Sequence, residues 1–468
     1  MLMRLMFPNR PSDSPMFPGA YEDQLPPPVE ITEGQIRRHI TNLNPYKAPG
    51  IDGILNIVLK RSADFIIPYL LQIFRATLKM GVYAGQWNEI VTCVLRKPGK
   101  PRYDIPKAYR LVALVNTIAK LLSSIMAEDI VHLTEVHLLL PANHFGGRPG
   151  QTMSDLLHLL VNTVKAAWQC KQVVSALFLD IEGAFPNAVT DHLLHNLRKR
   201  RIPERYVVFV SSMLTGYNHR LIDDYLSKWF HLDNGIVQGN PLSMILYLYY
   251  NVDLLDIARG WHEFCLGYVD DMALVAMANN FTDSHRILSN MISRADGAAS
   301  WSTAHNSKFE ASKLVMIDFS RAKNIAWPSM LLQGCIITPQ ESHKFLGVMI
   351  DQELRWRQQA DYALAKATKW TLAFRRLARP AMGVNLQLMR QMYCAVALPK
   401  MMYMADVWYT PMHKREGAGK TSGSVGIMRR MASMQRMAST AITGVLHTTP
   451  TDLLDLHAGL WPIHLMFQ

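Results

Sequence analysis

Cysteine is scarce in this chain. Five are spread over 468 residues, at Cys93, Cys170, Cys265, Cys335 and Cys394, an odd number set far apart. No Cys-x-x-Cys pair and no Cys/His cluster at zinc spacing occurs, which excludes a disulfide framework and a structural zinc module. The five are expected to be buried thiols in a reducing compartment. No run approaches the ~20 apolar residues of a membrane span. The nearest, Pro241 to Leu255, is broken by Asn251 and Asp253. Met1 to Phe7 is too short and wrongly flanked for a signal peptide, and no internal repeat is found. A nuclear or cytoplasmic protein, neither secreted nor bound to a membrane, is expected. Acidic residues are also in deficit, 37 against 49 Lys and Arg, for a net charge of +12.

What is present is a chain that is 49% apolar, enough to bury two or three packed units. The positive field points to a polyanionic partner. From Glu353 onward there are 15 Lys and Arg against 6 acids, a net +9, so most of the excess sits in the last quarter. These side chains either line a phosphate-binding surface or form ordinary solvated helix faces. Residues 8 to 28 carry seven prolines, from Pro8 to Pro26-Pro27-Pro28, which favours an extended linker, with folded structure beginning near Ile31. A helix is expected from there to just before Asn44-Pro45, and a turn-rich loop over Ala48 to Gly53. Further helices are expected over 63–80 and 117–133.

Val173 to Asp180 reads as a strand apolar on both faces, hence central in its sheet. After it, Asn187 can cap a helix striped by Val189, Leu193, Leu194 and Leu197. A turn over Gly235 to Leu242 leads into a buried helix to about Ala258. Phe264 to Met277 reads as a hairpin, apolar on either side of Asp270-Asp271. Another hairpin is expected around Ile336 to Ile350, and the basic remainder is expected to be helical.

Asp270-Asp271 raises the first chemical question. Two adjacent carboxylates between Gly267-Tyr268-Val269 and Met272-Ala273-Leu274-Val275 are costly to bury unless a cation meets them. No Lys or Arg lies nearby in sequence, so a hard divalent cation is the natural partner; the bland alternative is a hairpin turn with its acids in water. Asp180 ends a second buried strand, from which a side chain can reach a ligand. Two strands each delivering an acid to one edge suit a two-metal phosphoryl-transfer site. Neighbours on a strand face opposite ways, so Asp270 is expected as the main ligand with Asp180, and Asp271 as the weaker one.

The motifs then carry a resemblance. Leu179 to Phe185, Gly235 to Ser243 and Tyr268-Val269-Asp270-Asp271 resemble, in order, the first acid motif, the Gln-Gly loop and the Tyr-x-Asp-Asp hairpin of reverse transcriptases. Ala48 to Gly53, Tyr109 to Leu114, Phe145 to Gly150 and Lys344 to Val348 are similar to flanking blocks of non-LTR retrotransposon polymerases. The Trp301 to Ser320 stretch is similar to fungal elements. The resemblance runs from about residue 31 to at least 357. Two departures stand out: Leu111-Val112 replaces the family's Pro-Ile, and Asn240 stands where an acid or Ser is common.

The resemblance implies an α+β right-hand polymerase: fingers, a palm with an antiparallel sheet, and a helical thumb. Laid on this chain it gives a Pro-rich linker over 1–30, fingers over 31–172, palm over 173–352 and a basic thumb with its C-terminal connection over 353–468. It implies catalytic, metal-binding roles for Asp180, Asp270 and Asp271, with two Mg²⁺ that Mn²⁺ can replace. Lys97 and Arg110 would grip the incoming triphosphate, Phe185 would lie under the deoxyribose, and Gln238 would support the nucleotide or template base. Lys313 would stand near the triphosphate as a proton donor, with Lys308 as the competing lysine. The implied partners are an RNA template, a DNA primer and dNTPs, any nuclease function being supplied by another chain. Three rivals remain at this point. They are an RNA-directed RNA polymerase, a group II intron maturase, and a decayed or domesticated RNA-binding relic.

Overall fold

The computed structural model describes residues 17, 20–222, 226–232, 234–310, 313–322, 327–332, 334–377, 383–414 and 421–467. In chain order the strands are β1 (Glu89–Arg96), β2 (Tyr109–Leu114), β3 (His144–Phe145), β4 (Val173–Asp180), β5 (Tyr217–Ile222), β6 (Phe230–Leu232), β7 (Glu263–Tyr268), β8 (Asp271–Ala278) and β9 (Val315–Phe319). Two short hairpins follow, β10 (Met330–Leu332) with β11 (Cys335–Ile337) and β12 (Ser342–Phe345) with β13 (Val348–Asp351). Helices occupy much of the rest, so the chain is α+β.

The chain divides into two compact units that interleave along the sequence. The first comprises Met1–Thr152, Leu177–Ala276 and His285–Leu314; the second comprises Met153–Ala176, Met277–Ser284 and Val315–Gln468.

In the first unit, Thr32 caps the helix Glu33–Asn42 in a capping box with Gln35, which satisfies two orphan N–H groups at once. The helices Ala63–Met80 and Thr117–Val136 stand as expected, the second capped by Asn116. Asp52 anchors the 48–53 loop by accepting from Thr117 N at 2.9 Å and Ile54 N at 3.2 Å. One sheet has the order β2-β1-β5-β6, with β1 antiparallel to β2 and parallel to β5. Leu111 is buried there against Val94, Leu221, Phe230 and Leu232, so the departure at Leu111 fills a core position. A second sheet begins β3-β7-β8-β4, with β7 and β8 antiparallel.

The helix Ser243–Leu255 is buried almost throughout. An all-apolar helix could rotate or slide; this one is pinned by polar contacts on several sides. Asn196 Nδ2 donates to Tyr249 O and Tyr250 O, Tyr250 Oη donates to His305 O, and Asn251 Nδ2 donates to Val269 O at 2.6 Å. The Asn251 that breaks the apolar run in the sequence is therefore what fixes the helix to the β7–β8 turn. Asn240, the other departure, is buried and accepts from Leu242 N at 2.9 Å, shaping the entry to this helix.

In the second unit, Ser175 at the start of β4 donates to the buried Asp318 of β9, the strand next to β4 in the sheet order. The β12–β13 turn has two residues, Leu346 and Gly347, both at positive φ (47° and 84°), as a two-residue turn of this hand requires. The basic end is helical over Arg357–Leu377, Leu386–Met392 and Val425–Thr443.

Several expectations are corrected. Pro8, Pro11, Pro15 and Pro18 of the leader lie outside the described residues. From Tyr21 on it is extended as expected but packed: Leu25 is buried, its N–H donates to Arg201 O, and Arg205 donates to Pro28 O. Proline's missing N–H does not prevent this, since the contacts use other groups. Asn187 ends the one-turn helix Ala184–Asn187 and donates back to Glu182 O, so Val189 heads the next helix, Thr190–Lys199, with no side-chain cap. Of the cysteines only Cys265 is buried; Cys170 and Cys335 are exposed. The single hairpin expected over 336–350 is two. No helix among the described residues is long and apolar enough to cross a membrane.

Candidate active site

The candidate site lies within the first unit and is built where β4 ends. Val174 to Leu179 are buried, and Asp180 emerges half-exposed. The chain then pairs with 308–310: Glu182 N donates to Lys308 O at 2.9 Å, Glu310 N donates to Asp180 O at 3.0 Å, and Ile181 bridges Phe309. That pairing carries Lys313 to the acid. Its Nζ donates to Asp180 Oδ2 at 2.7 Å and lies 2.6 Å from Glu310 Oε2. Lys308 is exposed and contributes its carbonyl. Lys107 completes an alternating chain of charges, 2.8 Å from Glu182 and 3.2 Å from Glu310. The sequence alone assigns no role to Lys107, Glu182 or Glu310. The i,i+3 spacing of Glu310 and Lys313 is the one local signal of this cluster.

The β7–β8 hairpin brings the other acids. Tyr268 pairs with Asp271 across the ladder, which leaves Val269 and Asp270 as the turn. Asp270 is thus a turn residue, and the strict alternation expected along a strand does not apply to the pair. Val269 is buried at φ 57°, a left-handed conformation that a β-branched residue adopts only when its surroundings hold it there. Those surroundings are Phe145 O, which accepts from Val269 N, and Asn251, which donates to Val269 O. Gly146 (φ 85°) permits the approach, because a Cβ there would lie 2.9 Å from Val269 Cγ2 and 3.2 Å from the Tyr268 ring.

Asn251→Ala removes the buried donor that secures this turn. The expected loss is about 1–3 kcal/mol of stability, with a fall in activity larger than that loss explains, because Asp270 is displaced. Denaturant titration alongside the rate measurement checks this; a purely proportional loss of folded protein and activity would show that the hydrogen bond only stabilises.

Burial pushes the Asp270 carboxyl up, with Asp180 adding to it and Arg110 and Lys313 opposing. Burial likewise drives Asp271 up to about 6, with Asp270 and then Asp180 contributing. For Lys313, burial works against the charged form, but its bonds to Asp180 and Glu310 prevail and raise it. Among the described residues no three His, Cys, Asp or Glu side chains are already arranged to hold a metal ion. The fit to a hard divalent cation therefore lies in donor chemistry: carboxylate oxygens only, with Asp270 and Asp271 pushed up by burial and by the neighbouring carboxylates, which a cation would relieve.

The remaining candidates surround these acids. Lys97 is pushed down by burial and by Lys100, Arg110 and Lys313, so four cations share one region. Neither Lys97 nor Arg110 meets a carboxylate in an ion pair among the described residues. Gln238 is exposed, and its carbonyl accepts from Ala113 N at 2.8 Å. Gly239 (φ 121°) makes that close pass possible, since a Cβ would fall 2.4 Å from Ala113 O, and the loop is thereby laid along β2 within three residues of Arg110. Phe185 is half-buried, its carbonyl accepts from Ile236 N at 2.8 Å, and its ring stacks on Tyr247. The sequence alone assigns Tyr247 no role, because a Tyr in an apolar helix looks like core.

The sheet is mixed rather than antiparallel as expected, with β3 parallel to β7 and β7 antiparallel to β8, and it presents acids from β4 and the β7–β8 turn in a region shared with several cations, the arrangement of a polymerase palm. The chain belongs to the reverse transcriptase (RNA-dependent DNA polymerase) family, whose pattern matches residues 95–350. Its fold class is accordingly the α+β right-hand polymerase.

A probable RNA-directed DNA polymerase from transposon BS of Drosophila melanogaster is 24% identical over 389 residues, covering 81% of this chain and 42% of its own length. The RNA-directed DNA polymerase from mobile element jockey of Drosophila funebris is 24% identical over 395 residues, covering 82% and 42%. A putative 115 kDa protein in type-1 retrotransposable element R1DM of Drosophila melanogaster is 23% identical, covering 99% and 43%. The likeness to non-LTR retrotransposon reverse transcriptases expected from the motifs is thus found. The chain spans about two fifths of the length of these relatives. A truncated apo telomerase from Candida tropicalis superposes with a TM-score of 0.37 at 12% identity, over 64% of this chain and 59% of its own.

Proposed function

We propose that this chain adds dNTPs to the 3′ end of a primer on an RNA template, by metal-dependent phosphoryl transfer. The observation that carries this reading is the meeting of Asp180, Asp270 and Asp271 with Lys313, Arg110 and Lys97 in one region. Asp180, Asp270 and Asp271 would hold Mg²⁺, two ions with Mn²⁺ as a substitute. When bound, the metal supplies Lewis acidity that favours the 3′-alkoxide and offsets charge on the transferring phosphoryl group. The chain's own residues do the rest. Arg110 and Lys97 bind the triphosphate, Gln238 supports the base, and Phe185 lies beneath the sugar. Lys313 carries a proton within reach of the phosphates, and Glu310 keeps its ammonium in place. Residues 31–172 serve as fingers, 173–352 as palm and 353–468 as thumb.

Primer extension on poly(rA)/oligo(dT) with dTTP and Mg²⁺ tests the reading. A ladder of DNA products is expected; none, from folded protein that binds the duplex, would leave a decayed relic that binds RNA.

The thumb assignment has its own test. Arg430 pairs with Asp361, while Arg436 and Arg390 are committed to backbone carbonyls. Lys369, Arg375 and Arg376, on the helix Arg357–Leu377, are exposed and meet no carboxylate among the described residues. Changing the three to Gln should flatten the dependence of log affinity on log salt by about one unit for each phosphate that is no longer neutralised. An unchanged slope would make this an ordinary solvated face.

A further inference from the structure

Phe185 sits on a single helical turn, Ala184–Asn187, entered through Gly183 at φ 58°. So short an element does little to fix the ring. What meets the ring is Tyr247, with centroids 4.7 Å apart and planes 27° from parallel. Tyr247 is fully buried on the pinned helix Ser243–Leu255, and its ring neighbours Tyr250 at 5.9 Å. Tyr250 in turn donates to His305 O and packs edge-on against Trp301 and His305. A column of rings therefore runs from Phe185 into the buried, hydrogen-bonded interior of the first unit.

We propose that Tyr247 is a specificity-determining positioning residue: its ring sets the plane of Phe185 and thereby the choice between deoxyribose and ribose. The inference rests on the reading of Phe185 as the surface beneath the incoming sugar. A half-buried ring on one turn can tilt; a tilted ring opens space for a 2′-hydroxyl without any change at Phe185 itself. The stack, rather than the phenol oxygen, carries the effect. The Tyr247 hydroxyl has no hydrogen-bond partner among the described residues, so Tyr247→Phe removes a buried unpaired group and leaves the stack in place.

The test measures kcat/KM for dTTP and UTP in primer extension, with the melting temperature, for wild type, Phe185→Val, Tyr247→Leu and Tyr247→Phe. Tyr247→Leu is expected to lower the dTTP/UTP ratio at least ~10-fold, since sub-ångström misplacement of a positioned group is costly. Tyr247→Phe should keep the wild-type ratio. A ratio unmoved by Tyr247→Leu, while Phe185→Val shifts it, overturns the role of Tyr247 and leaves the gate standing. A ratio unmoved by Phe185→Val overturns the gate itself. Should Tyr247→Leu fail to fold, Tyr247→Met, closer in length, replaces it. Tyr247→Phe decides in any case, because a fall in its ratio would show that the stack is not what selects.

Discussion

Asp270→Asn should lower metal-dependent primer extension by at least ~10³-fold while leaving RNA affinity near wild type. Asparagine keeps the size of the side chain, so Val269 can hold its turn, but the charge needed to bind a cation is gone. RNA affinity should persist under the proposed assignment of phosphate binding to other side chains, among them the exposed cations of Arg357–Leu377. The melting temperature of the metal-free protein should not fall. Asp270 is largely buried beside Asp180, and its carboxyl is pushed up by that burial, so ionising it there is unfavourable and removing the charge relieves it. A variant keeping a tenth of the wild-type rate would overturn the site assignment. Loss of rate accompanied by a collapse in melting temperature would make Asp270 a structural residue instead.

Phe185→Val should raise rNTP incorporation and lower dNTP incorporation modestly, eroding a wild-type preference for dNTP of at least ~10²-fold. With the ring in place, a ribose 2′-hydroxyl would meet an aromatic face and lose its water without gaining a hydrogen bond, at a cost of about 1–3 kcal/mol before any steric overlap. The rival account makes Phe185 a core residue whose truncation weakens the fold and both activities together. Because Phe185 is half-buried and Tyr247 beneath it is fully buried, the structure offers a clear contrast between surface and core at this stack. An unchanged dNTP/rNTP ratio with a lower melting temperature would remove the gate.

The strands and helices near the acids are legible because their patterns are strong. β4 is apolar on both faces, the β7–β8 hairpin has apolar flanks, and Thr32 with Gln35 writes a capping box into the sequence. What stays hidden depends on pairings between distant segments. Nothing local in Lys107 predicts Glu182 and Glu310 as neighbours, 75 and 203 residues away. Tyr247 cannot be told from core, since its importance comes from touching Phe185. Asn187 misleads because Asn is a good cap in general, whereas here its side chain turns back to Glu182 O. Asn251 reads only as an interruption of an apolar run. A lone amide in a buried helix must bond something, and that rule is enough to flag it.

The interleaving of the two units bears on how the protein is made. The chain passes from one unit to the other at Thr152, Ala176, Ala276, Ser284 and Leu314. A ribosome releases residues from the N-terminus onward, and domains that are continuous in sequence can fold as they emerge. Here neither unit is continuous. The first cannot close until Lys313 is out, so Asp180 emerges more than a hundred residues before the lysine that will meet it. The helix Met153–Gln169 must wait longer still, for partners that lie beyond Val315. Nascent chains arrested before Leu314 should accordingly be sensitive to protease in β4 and in the segment around Asp180, and become resistant there only when synthesis passes that point.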